Sequence, residues 1–182
     1  VRAAMLSKAD LVTLMVGEFP KLQGVMGRLY AERQGEDPSV AAVLEEHWRP
    51  VYSGAALPAT AAGAIVSIAD KIDSICGCFS VGLVPTGASD PYALRRSAIG
   101  ALRILIETPI RLELTRLLAD TAAVQPPEVA AATVVEEVFE YMMERLRGYY
   151  ADAGVSPDVV DAVLARRPAA PFDADRRIRA VQ

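Results

Sequence analysis

The sequence predicts an all-α protein, and three observations support that prediction. Apolar side chains recur at intervals of three and four residues, as in Leu11, Leu14, Met15 and Phe19, which is the spacing of one helix face. Four dipeptides join a capping residue to a proline that suits the first helical position. They are Asp37-Pro38, Asp90-Pro91, Thr108-Pro109 and Ser156-Pro157. The alternating pattern of strands joined by hairpin turns is absent.

These signals predict eight or nine helices. In order they cover 8–17, 21–34, 38–48, 60–79, 91–107, 109–120, 127–151, 157–166 and 173–182. Ser7 and Asp173 are further capping candidates. At Pro20 a single kinked helix is the alternative to two helices. Residues 82–89 form the most loop-like stretch, and a softer boundary is expected near 122–127.

Composition and charge limit the classes of function. The 182 residues are 52% hydrophobic and 23% charged, which is ordinary for a globular protein. No apolar run approaches the roughly 20 residues of a membrane span, so no membrane partner is expected. The net charge of −4 argues against indiscriminate nucleic-acid binding, and no DNA partner is expected. The chain begins with valine and ends within a predicted helix, which suggests a piece of a longer protein.

The helix that follows the 82–89 loop carries three arginines, Arg95, Arg96 and Arg103. Arg96 and Arg103 fall on one stripe, while Arg95 lies next to it. The full stripe is Tyr92, Arg96, Gly100, Arg103 and Glu107. One interpretation pairs Arg96 and Arg103 with acids on neighbouring helices. The other gives them phosphate groups as partners, since a guanidinium fork matches phosphate oxygens.

A metal site is the weaker hypothesis for the acidic residues. Asp70 and Asp73 lie one helical turn apart, but the single histidine, His47, excludes sites that need several imidazoles. A zinc site of His47, Cys76, Cys78 and one acid has an atypical ligand spacing. Ion pairing or capping is therefore favoured for the acids. The two cysteines are too close in sequence to bridge, and free thiols suit the cytoplasm.

Three separated segments resemble a known family. KADLVTLMVGEFPKLQGVMGRLYA, EEHWRP and ADKIDSICGCFSVGLVPTGASDPYALRRSAIGALRIL are similar to the beta subunit of bacterial tetrameric glycyl-tRNA synthetase, and FEYMMERLRGYYADAGVSPDVVDAVLARR resembles its continuation. The resemblance implies a cytoplasmic central segment that supports tRNA recognition and assembly with the alpha subunit. Glycine activation, with ATP and magnesium, is then expected at the alpha subunit. No cofactor and no complete catalytic site are expected in this chain.

The same stretch resembles a helical HD-type domain. This implies an HD-like domain over 1–120 and a helical continuation over 121–182, leading toward a C-terminal tRNA-binding region. HD enzymes are metal-dependent phosphohydrolases, and their late aspartate and an accessory histidine would correspond to Asp70 and His47. Where their His-Asp pair would stand, the chain has Gly17-Glu18 or nearby residues. A phosphohydrolase and a purely structural helical module are the alternatives to a synthetase segment.

The synthetase resemblance raises the weight of phosphate contact. Arg95, Arg96 and Arg103 are the predicted tRNA-binding residues, joined by Lys71 and Arg28 if their helices pack alongside. For Arg96 and Arg103, tRNA contact and internal ion pairing carry equal weight. A second basic region lies in the last 17 residues, where two aspartates partly offset it. Its arginines are Arg166, Arg167, Arg176, Arg177 and Arg179.

Overall fold

The protein is all-α, as predicted from the sequence. The computed structural model describes residues 1–126 and 133–182, and within these ranges it contains ten α-helices and no strand. Short 3-10 helices lie at Ala9–Val12 and Pro20–Leu22. The α-helices are α1 (Arg2–Leu6), α2 (Leu14–Glu18), α3 (Val25–Arg33), α4 (Pro38–Glu46), α5 (Ala61–Ser80), α6 (Leu94–Glu107), α7 (Leu114–Val124), α8 (Val134–Asp152), α9 (Pro157–Leu164) and α10 (Pro171–Val181).

The chain forms two compact units, Val1–Asp70 and Lys71–Gln182, and the division falls inside α5. The boundary predicted from the sequence lies at 120/121. The assignment of 1–120 to an HD-like domain stays a prediction. No helix in the described ranges is both long and apolar enough to cross a membrane.

The first unit is organised around α4, which packs against α3 and α1. Ala31, Ala41 and Leu44 form a buried apolar cluster, and Leu6 packs against it. Small residues at two of these positions allow the helices to approach closely. The first unit therefore has an apolar core of its own.

The second unit is organised around α8, which packs against α6, α7 and α9, while α10 packs against α6 and α9. These helices bury large aliphatic side chains completely, and this burial supplies the main stabilising term. The fully buried side chains of α6 to α10 are Leu94, Leu102, Ile104, Leu105, Leu114, Leu118, Met142, Leu146 and Ile178. The arginine helix α6 is therefore fixed by its apolar face.

Two helices begin at the residue predicted from the sequence. α4 begins at Pro38, and the Asp37 carboxylate accepts a bond of 2.7 Å from the Ser39 backbone N–H. α9 begins at Pro157 after Ser156, although the Ser156 side chain makes no capping bond. The predicted start of the long helix at 127 lies outside the described residues.

Other predicted starts were wrong. α7 begins at Leu114, because Thr108 closes α6 by donating its hydroxyl to the Ile104 carbonyl at 2.7 Å. Ser7 likewise follows α1 and donates to the Ala4 carbonyl. Asp173 lies within the first turn of α10, whose first residue is Pro171. A threonine or serine hydroxyl can donate to a carbonyl of the preceding helix as readily as it caps the next one. Its presence alone therefore does not predict whether a helix ends or begins there.

Candidate nucleic-acid interface

An exposed turn precedes the arginine helix. Thr86 and Ser89 exchange two backbone hydrogen bonds, from the Thr86 N–H at 3.2 Å and from the Ser89 N–H at 2.8 Å. Gly87 has a φ of +48°, in the left-handed region that glycine adopts without a steric penalty. Thr86, Gly87 and Ser89 are exposed to solvent. The turn therefore has defined internal bonds even though it lies on the surface.

Asp90 fixes the entry into α6. Its carboxylate accepts bonds from the backbone N–H groups of Leu94 at 2.8 Å and Arg95 at 3.0 Å. These are orphan donors of the first helical turn, and a negative charge there also complements the helix dipole. Asp90 thus bonds the first turn of the helix, as a cap was predicted to do, although the N-cap residue is Ala93. The helix nevertheless begins at Leu94 instead of Pro91, since Ala93 adopts a left-handed conformation with a φ of 54°.

Arg95 points back to the turn. Its Nη2 donates to the Gly87 carbonyl oxygen at 2.6 Å, and the residue is half-buried. The same guanidinium lines a cleft of ≈ 800 Å³ that the turn forms with α8. Arg95 is therefore tied to the backbone of its own loop.

Arg96 differs from Arg95 in its exposure and in its bonding. It is exposed, and its side chain makes no hydrogen bond or ion pair with any residue that the structure describes. Consecutive helical residues point about 100° apart, so Arg96 does not share the direction of Arg95. Its guanidinium remains available to an external anion.

Arg103 is paired within its own helix. Its Nε donates to Glu107 Oε1 at 2.8 Å and its Nη2 donates to Oε2 at 3.2 Å. Its side chain is only 12% exposed, and the hydrogen bond to Glu107 raises the guanidinium pKa. Glu107 lies one turn along α6, whereas acids on neighbouring helices were expected from the sequence.

The other two predicted cations have different environments. In the first unit, Arg28 donates to Glu45 at 2.7 Å and to Glu32 at 2.9 Å, and these bonds raise its pKa. Lys71 is buried, with 7% of its surface exposed. An ammonium group buried to this extent offers little surface to a polyanion. Neither residue matches the exposure of Arg96.

The cleft beside Arg95 was not foreseen from the sequence. Helix α8 supplies three glutamates, two arginines and an aromatic ring to it. These residues are Glu137, Glu140, Glu144, Arg145, Arg147 and Tyr141. The Arg145 guanidinium lies 5.3 Å from the centre of the Tyr141 ring. Because loop and helix are far apart in sequence, periodicity could only assign Tyr141 to an apolar face.

The residues of the metal hypothesis have other surroundings. His47 is fully buried, and its ring centre lies 4.8 Å from that of Trp48. Asp70 pairs with Lys8 at 2.5 Å, as the ion-pair interpretation expected. Both cysteines are free, and burial raises the pKa of the Cys76 thiol to about 11. Across the described residues, no three His, Cys, Asp or Glu side chains cluster closely enough to hold a metal ion.

The EEHWRP segment makes ion pairs and hydrogen bonds within the first unit. Glu45 bridges Arg28 and Arg49, both at 2.7 Å. The buried Glu46 carboxylate accepts bonds from the Thr60 hydroxyl at 2.6 Å and the Thr60 N–H at 3.1 Å. These bonds anchor the residue just before α5. The segment therefore has a structural role that its sequence alone did not indicate.

The second basic region is divided. Arg167 pairs with Glu136 and Glu140, and Arg179 pairs with Asp175. Three arginines are exposed and unpaired among the described residues: Arg166, Arg176 and Arg177. These three arginines and Arg96 are therefore the candidates for anion contact in the second unit.

Fold and site together define an all-α module with a hydrogen-bonded surface loop and an exposed guanidinium at the start of the following helix. A family model described as the glycyl-tRNA synthetase beta subunit matches residues 1–165, and the chain belongs to that family. Glycine–tRNA ligase beta subunits of Aeromonas salmonicida and Aeromonas hydrophila are each 48% identical to it over 180 residues. The corresponding subunit of Pseudomonas aeruginosa is 46% identical over 181 residues.

These alignments cover 99% or more of the chain but 26% of each relative. The chain thus spans about a quarter of the length of the curated relatives it matches.

Proposed function

We propose that this chain is a helical segment of a glycyl-tRNA synthetase beta subunit. In this role it helps to hold glycine tRNA and the alpha subunit during the ATP-dependent attachment of glycine to tRNA, in the cytoplasm. Family membership along residues 1–165 is the observation that carries the proposal. ATP and magnesium act at the alpha subunit in this scheme, and the chain contributes binding instead of chemistry.

Within the chain, Arg96 is the proposed phosphate contact. It is exposed and has no partner in the described part of the chain, whereas Arg103 is bonded to Glu107. An arginine that is already free of internal partners loses no ion pair when it binds a phosphate. A-form RNA is recognised largely through phosphates and 2′-hydroxyls, which suits a guanidinium on a helix fixed by its buried face.

The exposed arginines of the second basic region supply further contacts in this proposal. Arg176 and Arg177 lie on α10, which packs against α6 within the second unit. Each phosphate contact adds a salt-sensitive increment of affinity. Arg28 and Lys71, by contrast, are left out, because the first is doubly paired and the second is buried.

The test is the binding of a labelled glycine tRNA transcript to the chain, followed by fluorescence anisotropy at low salt. Arg96→Glu should weaken binding about tenfold, since charge reversal removes one contact and adds repulsion. Arg116→Glu is the matched control, because the Arg116 side chain is 80% exposed on α7. Its Nε lies 3.7 Å from Asp120 Oδ2, which is a long distance for a surface ion pair. Circular dichroism establishes that each variant is folded.

Three results are informative. Weakening by Arg96→Glu but not by Arg116→Glu supports the contact. If both variants weaken tRNA binding equally, the effect comes from the overall charge of the chain, and this result contradicts a specific site at Arg96. If the Arg96 variant binds as the wild type does, Arg96 is excluded, and an Arg176→Glu/Arg177→Glu variant then decides whether the second basic region binds the RNA.

Assembly is tested separately. Sedimentation of the chain mixed with a glycyl-tRNA synthetase alpha subunit should show a complex if this segment contributes to the subunit interface. Migration of the two proteins as independent species would remove assembly from the proposed role while leaving tRNA binding unaffected.

A further inference from the structure

We propose that Arg95 is a positioning residue, which holds the loop before α6 in its folded form, and that it is not itself a phosphate contact. The inference rests on the proposed tRNA-binding function for its significance, since the loop lies directly before the helix that carries Arg96. Arg95 and Arg96, which are adjacent and were both predicted as tRNA-binding residues, then have different roles.

Arg95 takes part in two hydrogen bonds that link the loop to α6. The Arg95 guanidinium donates to the Gly87 carbonyl at 2.6 Å, while the Arg95 backbone N–H donates to Asp90 Oδ2 at 3.0 Å. One residue thus ties the middle and the end of the loop to the first turn of α6. A hydrogen bond from a charged donor is about twice as strong as a neutral one.

Apart from the Arg95 bond, the turn has few contacts that hold its tip in place. Among the described residues, the backbone bonds across the ends of the turn are the reciprocal pair between Thr86 and Ser89. Gly87 holds a positive φ, and a Cβ added there would meet no atom of the described residues within 4 Å, apart from its chain neighbours. In the described part of the chain, no side chain therefore packs at the position that a Gly87 Cβ would take. The guanidinium bond to the Gly87 carbonyl is the tether that remains.

The Arg95 guanidinium already has an acceptor, with which a phosphate would compete. A phosphate that bound Arg95 would have to share it with, or take it from, the Gly87 carbonyl, and the side chain is half-buried. Arg96 is exposed and has no such competitor among the described residues. A pre-ordered loop also lowers the entropy lost when a partner binds beside it. Arg95 consequently contributes to affinity through the loop.

Hydrogen exchange in the absence of RNA tests the positioning role directly. In Arg95→Gln, the amides of the loop peptide that contains Thr86 and Ser89 should exchange about tenfold faster, because local opening becomes easier. Arg95→Lys keeps a charged donor and should restore much of the protection. Arg96→Gln is the matched control and should leave exchange of the loop unchanged. Wild-type exchange rates in Arg95→Gln would overturn the proposal.

Salt-dependent tRNA binding then separates positioning from phosphate contact. For Arg96→Gln the slope of log K against log salt should fall by about 0.7 to 0.9, the loss of one contact. For Arg95→Gln affinity should fall about threefold to tenfold with the slope unchanged. A lower slope in Arg95→Gln would make Arg95 a phosphate contact and contradict the inference. If wild type fails to bind, the proposed function fails, while the exchange result still decides whether Arg95 holds the loop.

Discussion

Gly63 lies where the buried carboxylate of Glu46 reaches the start of α5. A Cβ at Gly63 would overlap Glu46 Oε2 and lie only 2.8 Å from the Glu46 Cβ. The Glu46 Cβ is fixed by the backbone of α4 and cannot move aside as a side-chain tip could. The absence of a side chain at Gly63 therefore permits the Glu46–Thr60 bonds.

Gly63→Ala should lower the free energy of unfolding by about 2 kcal/mol, through overlap and displacement of the Glu46 carboxylate. Gly148→Ala is the control, since Gly148 lies inside α8 and a Cβ there meets nothing within 4 Å. The control should raise stability by about 0.5 to 1 kcal/mol, as expected for alanine replacing glycine in a helix. Urea denaturation measures both. Equal effects at the two sites would contradict the overlap.

Tyr141 and Tyr150 of α8 have raised pKa values for partly different reasons. Burial, followed by the nearby charge of Asp90, raises the pKa of Tyr141 to about 12. Burial also raises the pKa of Tyr150, and its hydrogen bond to Asp175 at 2.9 Å acts in the same direction. The Tyr141 hydroxyl is buried without a hydrogen-bond partner in the described ranges. The two hydroxyls therefore differ in their contribution to stability.

At neutral pH, Tyr150→Phe should cost about 1 to 3 kcal/mol because it removes a buried bond to Asp175, whereas Tyr141→Phe should change stability by less than about 0.5 kcal/mol. Thermal or urea unfolding of the two variants makes the comparison. A large loss in Tyr141→Phe would mean that its hydroxyl has a partner in the native protein.

The alkaline behaviour of Tyr141 follows from the sign of its pKa shift. A tyrosine with a higher pKa in the folded state keeps its proton longer when folded, so its stability contribution is present below pH 10 and is lost as pH rises toward 12. The decline over this window should be shallower in Tyr141→Phe than in wild type. Urea titrations at several alkaline pH values test the difference, and parallel declines would contradict it.

Among the elements, the helix starts differ in how they are stabilised. Asp37 and Asp90 accept backbone bonds at the starts of α4 and α6, but within the described residues Ser156 makes no side-chain capping bond at the start of α9. A capping bond satisfies a donor that is otherwise left without an intrahelical partner. The same sequence pattern, a capping residue followed by proline, therefore gives a capping bond at some helix starts and not at others.

Asp90→Ala should lower stability by about 1 kcal/mol, since it removes two bonds to the first turn of α6 and a favourable charge near the helix dipole. Ser156→Ala should change it by less than about 0.5 kcal/mol. Chemical denaturation of each variant provides the measurement. A Ser156 effect as large as that of Asp90 would show that the serine caps α9 in solution.

For the whole molecule, an acidic chain is proposed to bind an acidic polymer. The net charge is −4, yet Arg96, Arg166, Arg176 and Arg177 remain exposed and unpaired among the described residues. Most other arginines of the second unit form ion pairs with nearby acidic side chains, as Arg103 and Arg167 do. Binding should therefore rest on a few local contacts and not on the average charge.

The affinity of wild type for glycine tRNA should accordingly fall with salt along a shallow slope, about −1 to −3 in log K against log salt. Anisotropy titrations from 50 to about 200 mM salt measure that slope. A slope near zero would exclude phosphate contact as the main source of affinity. A much steeper slope would require many more arginines than those left unpaired.

The sequence by itself determined the helical class, the family and the position of the arginine helix, because periodicity, capping residues and continuous motifs are local properties. It located Asp37 and Asp90 as caps and Asp70 as an ion-pair partner correctly. Thr108 was misassigned because a hydroxyl can close one helix as well as open the next.

Only the tertiary structure distinguished among the cations. Arg95, Arg96 and Arg103 are equivalent in composition and close in sequence, but their roles depend on burial and on which acceptors the fold brings within 3 Å or so. It also decided that Lys71 and His47 are buried, that Glu46 anchors the start of α5 and that α8 faces the loop across a cleft. These properties arise from contacts between distant segments, which no local pattern specifies.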